Sequence, residues 1–220
     1  TTMEREGLME NGRYQNNSYG KSGNAQFLGG GGKAELAYYL TRNHRFALGL
    51  SAASQAPLSR NAFVAPRAQN NFVNNLTNED IYDADLSYAF RFGNVVGKVS
   101  GYYARFGRQV EQTAFYNDQQ STFTYLTMSN VEKLHYGVEA ALNWQATTNL
   151  SFQVLASVGD AYYTNNPYAQ VSYEGMNPVE LEKLNSVVNP VTKQTMPLRV
   201  VAKDMRVGNT PLTALSFGAR

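Results

Sequence analysis

Residues 81–92, IYDADLSYAFRF, alternate without a break. Tyr82, Ala84, Leu86, Tyr88, Phe90 and Phe92 occupy one set of alternate positions, and Ile81, Asp83, Asp85, Ser87, Ala89 and Arg91 the other. A period of two is the geometry of a β-strand, whose successive side chains point to opposite faces. A strand this long with one apolar and one polar flank needs a different surrounding on each side. The apolar flank meets either a second sheet or lipid, and that choice decides what kind of protein the chain is.

The pattern recurs. In residues 33–41, Ala34, Leu36, Tyr38 and Leu40 oppose Lys33, Glu35, Ala37, Tyr39 and Thr41; in 45–50, Phe46, Leu48 and Leu50 oppose Arg45, Ala47 and Gly49. Val95, Gly97, Val99, Gly101 and Tyr103 oppose Lys98, Ser100, Tyr102 and Ala104. Tyr136, Val138, Ala140, Leu142 and Trp144 oppose Gly137, Glu139, Ala141 and Asn143. Leu150, Phe152, Val154, Ala156 and Val158 oppose Ser151, Gln153, Leu155 and Ser157. Residues 198–207 and 213–219 are weaker strands, which makes about eight in all with no long helix.

The connections discriminate further. Residues 42–45, 93–94 and 146–149 are short links, while 52–79, 106–134 and 159–196 read as long loops rich in Asn, Gln, Tyr, Gly and Ser. Short and long alternate, so all tight turns fall at one end of the sheet. A Greek-key sandwich has no reason for that segregation. An outer-membrane barrel does, with short periplasmic turns, long extracellular loops and strands of roughly 9–11 residues. The predicted fold is therefore all-β, an antiparallel transmembrane β-barrel segment of about eight strands. Tyr82, Leu86, Tyr88, Phe90, Phe92, Val138, Leu142, Trp144, Phe152 and Val154 are the expected lipid-facing residues. Asp83, Asp85, Arg91, Lys98 and Glu139 are the expected lumen-facing ones. Arginine is expected to be costly at Leu86 or Leu142 and tolerated at Ser87 or Asn143.

Composition agrees with a wall that hides its hydrophobicity by alternation. Mean hydropathy is −0.41 over 220 residues, and no apolar run approaches the roughly 18 residues of a membrane helix. The 15 Tyr and 11 Phe suit half-wet surfaces such as a bilayer interface. With 19 Lys and Arg against 17 Asp and Glu, nothing points to nucleic acid. The absence of cysteine excludes disulfides, thiol nucleophiles and cysteine metal sites. Residues 1–14 carry charges where a signal peptide has its apolar segment, as expected of a processed chain or a piece of a longer one.

The motifs that suggest chemistry fail on context. Gly20–Lys21–Ser22 resembles the end of a phosphate loop, but Gln15 occupies the position of the required leading glycine. The glycines at 29–32 precede Lys33 without the Ser/Thr and helix a phosphate loop needs; there glycine relieves crowding or bends a strand. His44 and His135 have no second ligand at metal spacing. Asp83 and Asp85 share a face without a companion base, as a solvated lumen face would. No nucleophile elbow is present. Asn177, Pro178 and Glu180 form a capping-box arrangement for a short helix that would put Leu181 and Leu184 on one face. The expectation is a protein that is not an enzyme, with no cofactor and no metal.

Several stretches resemble the barrel of TonB-dependent outer-membrane receptors of Bacteroidetes-type Gram-negative bacteria. They are NGRYQNNSYGKS (11–22), SAASQAPLSRNAFVAPRAQNNFVNNLTNEDIYDADLSY (51–88), GYYARFGRQVEQTAFYND (101–118), VEKLHYGVEAAL (131–142) and GNTPLTALSFG (208–218), in the family's order and with similar spacing. The resemblance implies that residues 1–220 are a consecutive block of wall from the C-terminal half of a 22-stranded barrel, with neither the plug domain nor the terminal aromatic residue. It implies localisation in the cell outer membrane, contact with outer-membrane lipid, and coupling to the TonB complex through an N-terminal part outside these residues. It also implies uptake of a scarce nutrient (siderophore, haem, cobalamin, glycan or peptide), with a surface lipoprotein as a further partner. No ligand-binding residue carries over, because the family's cargo contacts follow no motif matched here, and residues 179–201 match the family poorly. The alternatives are a complete eight-stranded adhesin or structural barrel and a soluble β-sandwich that binds glycans through its Tyr/Asn-rich loops.

Overall fold

The computed structural model describes residues 2, 4–5, 9–10, 13–14, 17–67, 69–119, 121–173 and 182–220. Four two-residue strands come first: β1 (Glu4–Arg5), β2 (Met9–Glu10), β3 (Arg13–Tyr14) and β4 (Gly20–Lys21). The segments with period two then form β5 (Gly30–Thr41), β6 (His44–Gln55), β7 (Glu79–Phe92), β8 (Val95–Asn117), β9 (Thr122–Thr147) and β10 (Leu150–Tyr163). They are followed by β11 (Tyr168–Tyr173), β12 (Ser186–Val188), β13 (Thr195–Pro197) and β14 (Thr213–Ala219). The protein is all-β: its main sheet is antiparallel and ordered β14-β10-β9-β8-β7-β6-β5, with β11 as its eighth strand beside β9. The sheet is open, with β5 and β14 at its two edges.

The tight turns fall where the alternation put them, at 42–43, 93–94 and 148–149, all at one end. Gly93, at φ 52°, supplies the positive dihedral that a two-residue hairpin needs at its first central position.

Three expectations are corrected. Residues 106–134 are not a long loop: β8 and β9 run on as a paired hairpin to a tip at 118–121. Those two strands have 23 and 26 residues, far beyond a membrane crossing. Residues 198–207 are not a strand; their backbone pairs with the sheet as isolated bridges, Tyr168 with Arg199 and Tyr162 with Arg206, rather than as a ladder. The eighth strand is β11 instead, the continuation of β10 along β9 after an interruption at 164–167. Of the short helix expected from Asn177, Pro178 and Glu180, residues 174–181 lie outside the described residues, and 182–184 form a helical turn.

The interruption belongs to a seam across three strands. The β8–β9 register shifts between Phe106 and Glu111, where Arg108 has φ 55°, and Asn130 opposite has φ 56°. These are bulges, which bend a strand and raise its twist. Asn165 repairs the ladder there: its Nδ2 donates to the Asn130 carbonyl at 2.7 Å and its Oδ1 accepts the Glu132 N–H at 3.2 Å. On the tight-turn side of the seam the sheet is a single layer whose buried residues are few: Ala47, Ser87, Gly97 and, close to the seam, Ala161. The core sits beyond the seam, where the β6–β7 connection packs Val64 and Val73 against Val110 and Ala65 against Tyr125, and buries Phe63.

Candidate functional site: an amphipathic wall and a polar cavity at its loop end

Cross-strand partners share a face of a sheet, so the registers test whether the separate alternations agree. They do. One row runs Leu36, Leu48, Leu86, Gly101, Val138, Val158 and Thr213; another runs Tyr38, Phe46, Tyr88, Val99, Ala140, Ala156 and Leu215. All ten residues expected on the apolar flank, from Tyr82 to Val154, fall on this one face, and Asp83, Asp85, Arg91, Lys98 and Glu139 all fall on the other. From the Leu86 row to the tight turns, the apolar face carries no Asp, Glu, Lys or Arg among the described residues; Asp160, opposite Tyr136, and Arg105, opposite Tyr82, stand at its seam-side border. No second sheet covers it: Leu36, Leu48, Leu86, Val138 and Leu215 are all exposed.

The aromatic residues of this face lie in two rows. Near the tight turns, Phe46 stacks on Tyr88 (4.7 Å between ring centres), Tyr88 adjoins Phe90 (5.6 Å) and Phe90 adjoins Phe92 (5.4 Å). In the same row Trp144 stacks on Phe152 (5.5 Å), which adjoins Phe217 (6.0 Å). His44 joins this row, with Nδ1 2.7 Å from the Tyr88 hydroxyl. Towards the seam, Tyr82, Tyr103 and Tyr136 form the second row. From Trp144 to Tyr136 is eight residues, about 26 Å along a strand and roughly 20 Å in height at the usual barrel tilt. Leu, Val, Ala and Gly fill the band between.

At the tyrosine row and just beyond it the chemistry changes, Arg105 standing opposite Tyr82 and Asp160 opposite Tyr136. Arg108 pairs with Asp80 at 2.5 Å, Arg105 with Glu132 at 3.0 Å and Arg206 with Asp160 at 3.3 Å. Lys133 pairs with Glu111, and the Tyr163 hydroxyl donates to the same carboxylate at 3.0 Å. Burial, reinforced by the charge of Glu111, pushes the Tyr163 phenol up to about 12.

Small residues let side chains lie flat on the polar face. Asp85, Tyr102, Gly137 and Gly159 stand in one row. Tyr102 reclines across both glycines: a Cβ would come within 2.8 Å of its hydroxyl at Gly137 and 2.9 Å at Gly159. Lys98 and Glu139 line one hollow of about 430 Å³ with Ser100, Ser157 and Ser216. Ser87 is only 5 % exposed and pairs with buried Ala47, so the expectation that it tolerates arginine is corrected: a guanidinium there has no room. Asn143 is exposed and remains a suitable position.

Beyond the seam a network of amides fixes the β6–β7 connection to the long hairpin. The Gln112 Nε2 lies 2.9 Å from the carbonyls of Phe63 and Val64 and from the Thr127 hydroxyl, which itself donates to the Val64 carbonyl at 3.0 Å. A relay then runs from the Asn17 amide to the Asn71 oxygen (2.9 Å), from the Asn71 amide to the Gln69 oxygen (3.1 Å) and from the Gln69 amide to the Ser172 hydroxyl (2.9 Å). Gln170 Oε1 accepts the Asn74 N–H at 2.8 Å. Gln69, Asn71, Asn74, Gln170, Glu182 and Phe72 line a cavity of about 520 Å³ here, within the range of small-molecule sites. No local pattern marks it, because its walls come from three segments brought together only by the fold. Among the described residues no group of three or more His, Asp or Glu stands where it could hold a metal ion.

No family model, curated protein or solved structure matches the chain.

Proposed function

We propose that the chain is wall and outer loops of an outer-membrane β-barrel, of the TonB-dependent receptor type its sequence resembles, importing a scarce nutrient. The observation that carries the membrane reading is the continuous face, seven strands wide, that is free of charge from the Leu86 row to the tight turns and bounded by two aromatic rows, with ion pairs at the level of the seam-side one and beyond it. That order is what a lipid-facing wall requires: an apolar band of about 25 Å between girdles of aromatic residues. In water the same face is far larger than the few hundred Å² of apolar patch a soluble monomer exposes. The other face, bearing Asp83, Asp85, Arg91, Lys98 and Glu139, lines a wet interior in this reading, and the long hairpin and loops stand outside the cell. The sandwich alternative requires a second layer over Tyr82–Phe92, and a closed eight-stranded barrel requires β5 to pair with β14; the described sheet has neither. Coupling to TonB, the surface lipoprotein and the cargo rest on the resemblance alone.

The full-length protein is expected to fractionate with the outer membrane. Cells carrying it are expected to lose uptake of its nutrient when a protonophore removes the energy TonB delivers. Recovery in a soluble fraction overturns the membrane reading, and uptake indifferent to the protonophore overturns the TonB-dependent one.

A further inference from the structure

We propose that the amide-lined cavity beyond the seam binds a neutral oligosaccharide. The inference rests on the reading that this end faces the outside, where a solute would meet it.

The argument starts from the charges. Among the described residues, Asp and Glu contribute one side chain to the lining, Glu182, and Lys and Arg none. An anionic ligand, whether a phosphate, a sulfated sugar or a carboxylate-rich iron chelate, would find a carboxylate and no cation to offset it. The remaining polar side chains that line it are five primary amides and the Ser186 hydroxyl, each able to donate and accept, which matches sugar hydroxyl groups that also do both. Their orientation is fixed in advance. In the relay from Asn17 to Ser172, Asn71 and Gln69 each spend one N–H inside the wall and keep a second. Gln170 accepts through Oε1 from the Asn74 backbone, which leaves both N–H bonds of its Nε2 without a partner among the described residues. Ordering these side chains costs the complex nothing further, because folding has already done it. Phe72, held by stacking on Phe63 at 4.8 Å, and Val64 supply the apolar wall against which the C–H surface of a sugar ring packs. A peptide in extended form would seek unpaired backbone at a sheet edge. The cavity is lined by side chains, which favours the sugar.

Gln170→Glu is the diagnostic change. A glutamate still accepts the Asn74 N–H, so the wall keeps its bond, but both outward donors are lost and a second carboxylate enters the cavity. The full-length protein in detergent micelles is titrated calorimetrically with maltohexaose, mannohexaose and xylohexaose, with a pool of neutral hexapeptides, and with ferric citrate. Saturable binding of at least one hexasaccharide is expected, weakened about tenfold by Gln170→Glu and unchanged by Gln153→Glu near the tight turns. Three results overturn the proposal: no hexasaccharide binds, the Gln170→Glu protein binds as the parent does, or the peptides or ferric citrate bind here instead. Fractionation of the same preparation keeps the two readings apart. Sugar binding by a protein recovered as soluble would sink the membrane wall and leave this site standing, whereas a membrane protein blind to all three sugars would do the reverse.

Discussion

Replacing Leu86 by arginine asks which solvent the apolar face meets, because the two answers differ in size. Leu86 is 58 % exposed, between Leu48 and Gly101 in its cross-strand row. It stands four residues from Tyr82 and two from Tyr88, about 13 Å and about 7 Å along the strand from the nearest member of each aromatic row. If water covers this face, an exposed leucine contributes little and the change falls within about 0.5 kcal/mol. If hydrocarbon covers it, the guanidinium sits near mid-depth, where arginine costs about 2–4 kcal/mol. The assay is reversible denaturant unfolding of the full-length protein in phospholipid vesicles, with Asn143→Arg on the opposite face as the reference. Asn143 is exposed beside Val96 and Gln153, so its replacement is expected to stay within about 0.5 kcal/mol. Equal losses at the two sites would refute the assignment of the faces.

Two further changes probe how the wall and its outer part are held. Gly137→Val must displace the Tyr102 ring and press on the Val158 carbonyl, 2.7 Å from where a Cβ would stand, so a loss of about 1–3 kcal/mol is expected in the same unfolding assay. Gln112→Ala removes the donor that joins the Phe63 and Val64 carbonyls to Thr127, with an expected cost of about 1–3 kcal/mol. Limited proteolysis is expected to show faster cutting within residues 56–78 of the Gln112→Ala protein. Unchanged protection there would mean that the apolar packing of Val64, Val73 and Val110 suffices without the amide.

The wall was legible because its two faces differ in polarity at every step, and the registers then placed each alternation on the same side. The extension of β8 and β9 was not. Residues 107–131 offer Arg108, Gln109, Glu111, Gln112, Asn117 and Ser129 with little apolar alternation, and the bulges at Arg108 and Asn130 break the period where the pattern would have been followed outward. Backbone pairing and the buried connection from the β6–β7 side make that hairpin, and neither leaves a local mark. Residues 198–207 erred the other way. Leu198, Val200 and Ala202 alternate as a strand would, yet the segment pairs with β10 and β11 only as isolated bridges, at Tyr162 and Tyr168, with a turn at 203–204 between them. The two aromatic rows were present as a surplus of Tyr and Phe but gained meaning only when pairing set Phe46 beside Tyr88 and Trp144 beside Phe152 on one face. Ser87 shows the limit of a binary pattern: it lies on the polar face as expected and is nonetheless buried.

The apolar face meets lipid in this account, and Trp144, the chain's one tryptophan, reports on it directly. With Trp144 left as the sole tryptophan of the full-length protein, its fluorescence in vesicles of brominated phospholipids tests the claim by depth. Strong quenching is predicted from bromines placed high on the acyl chains near the headgroups, with less from bromines at the chain ends, and with little effect of aqueous acrylamide. Indifference to every brominated lipid together with free quenching by acrylamide would place the aromatic row in water and contradict the wall.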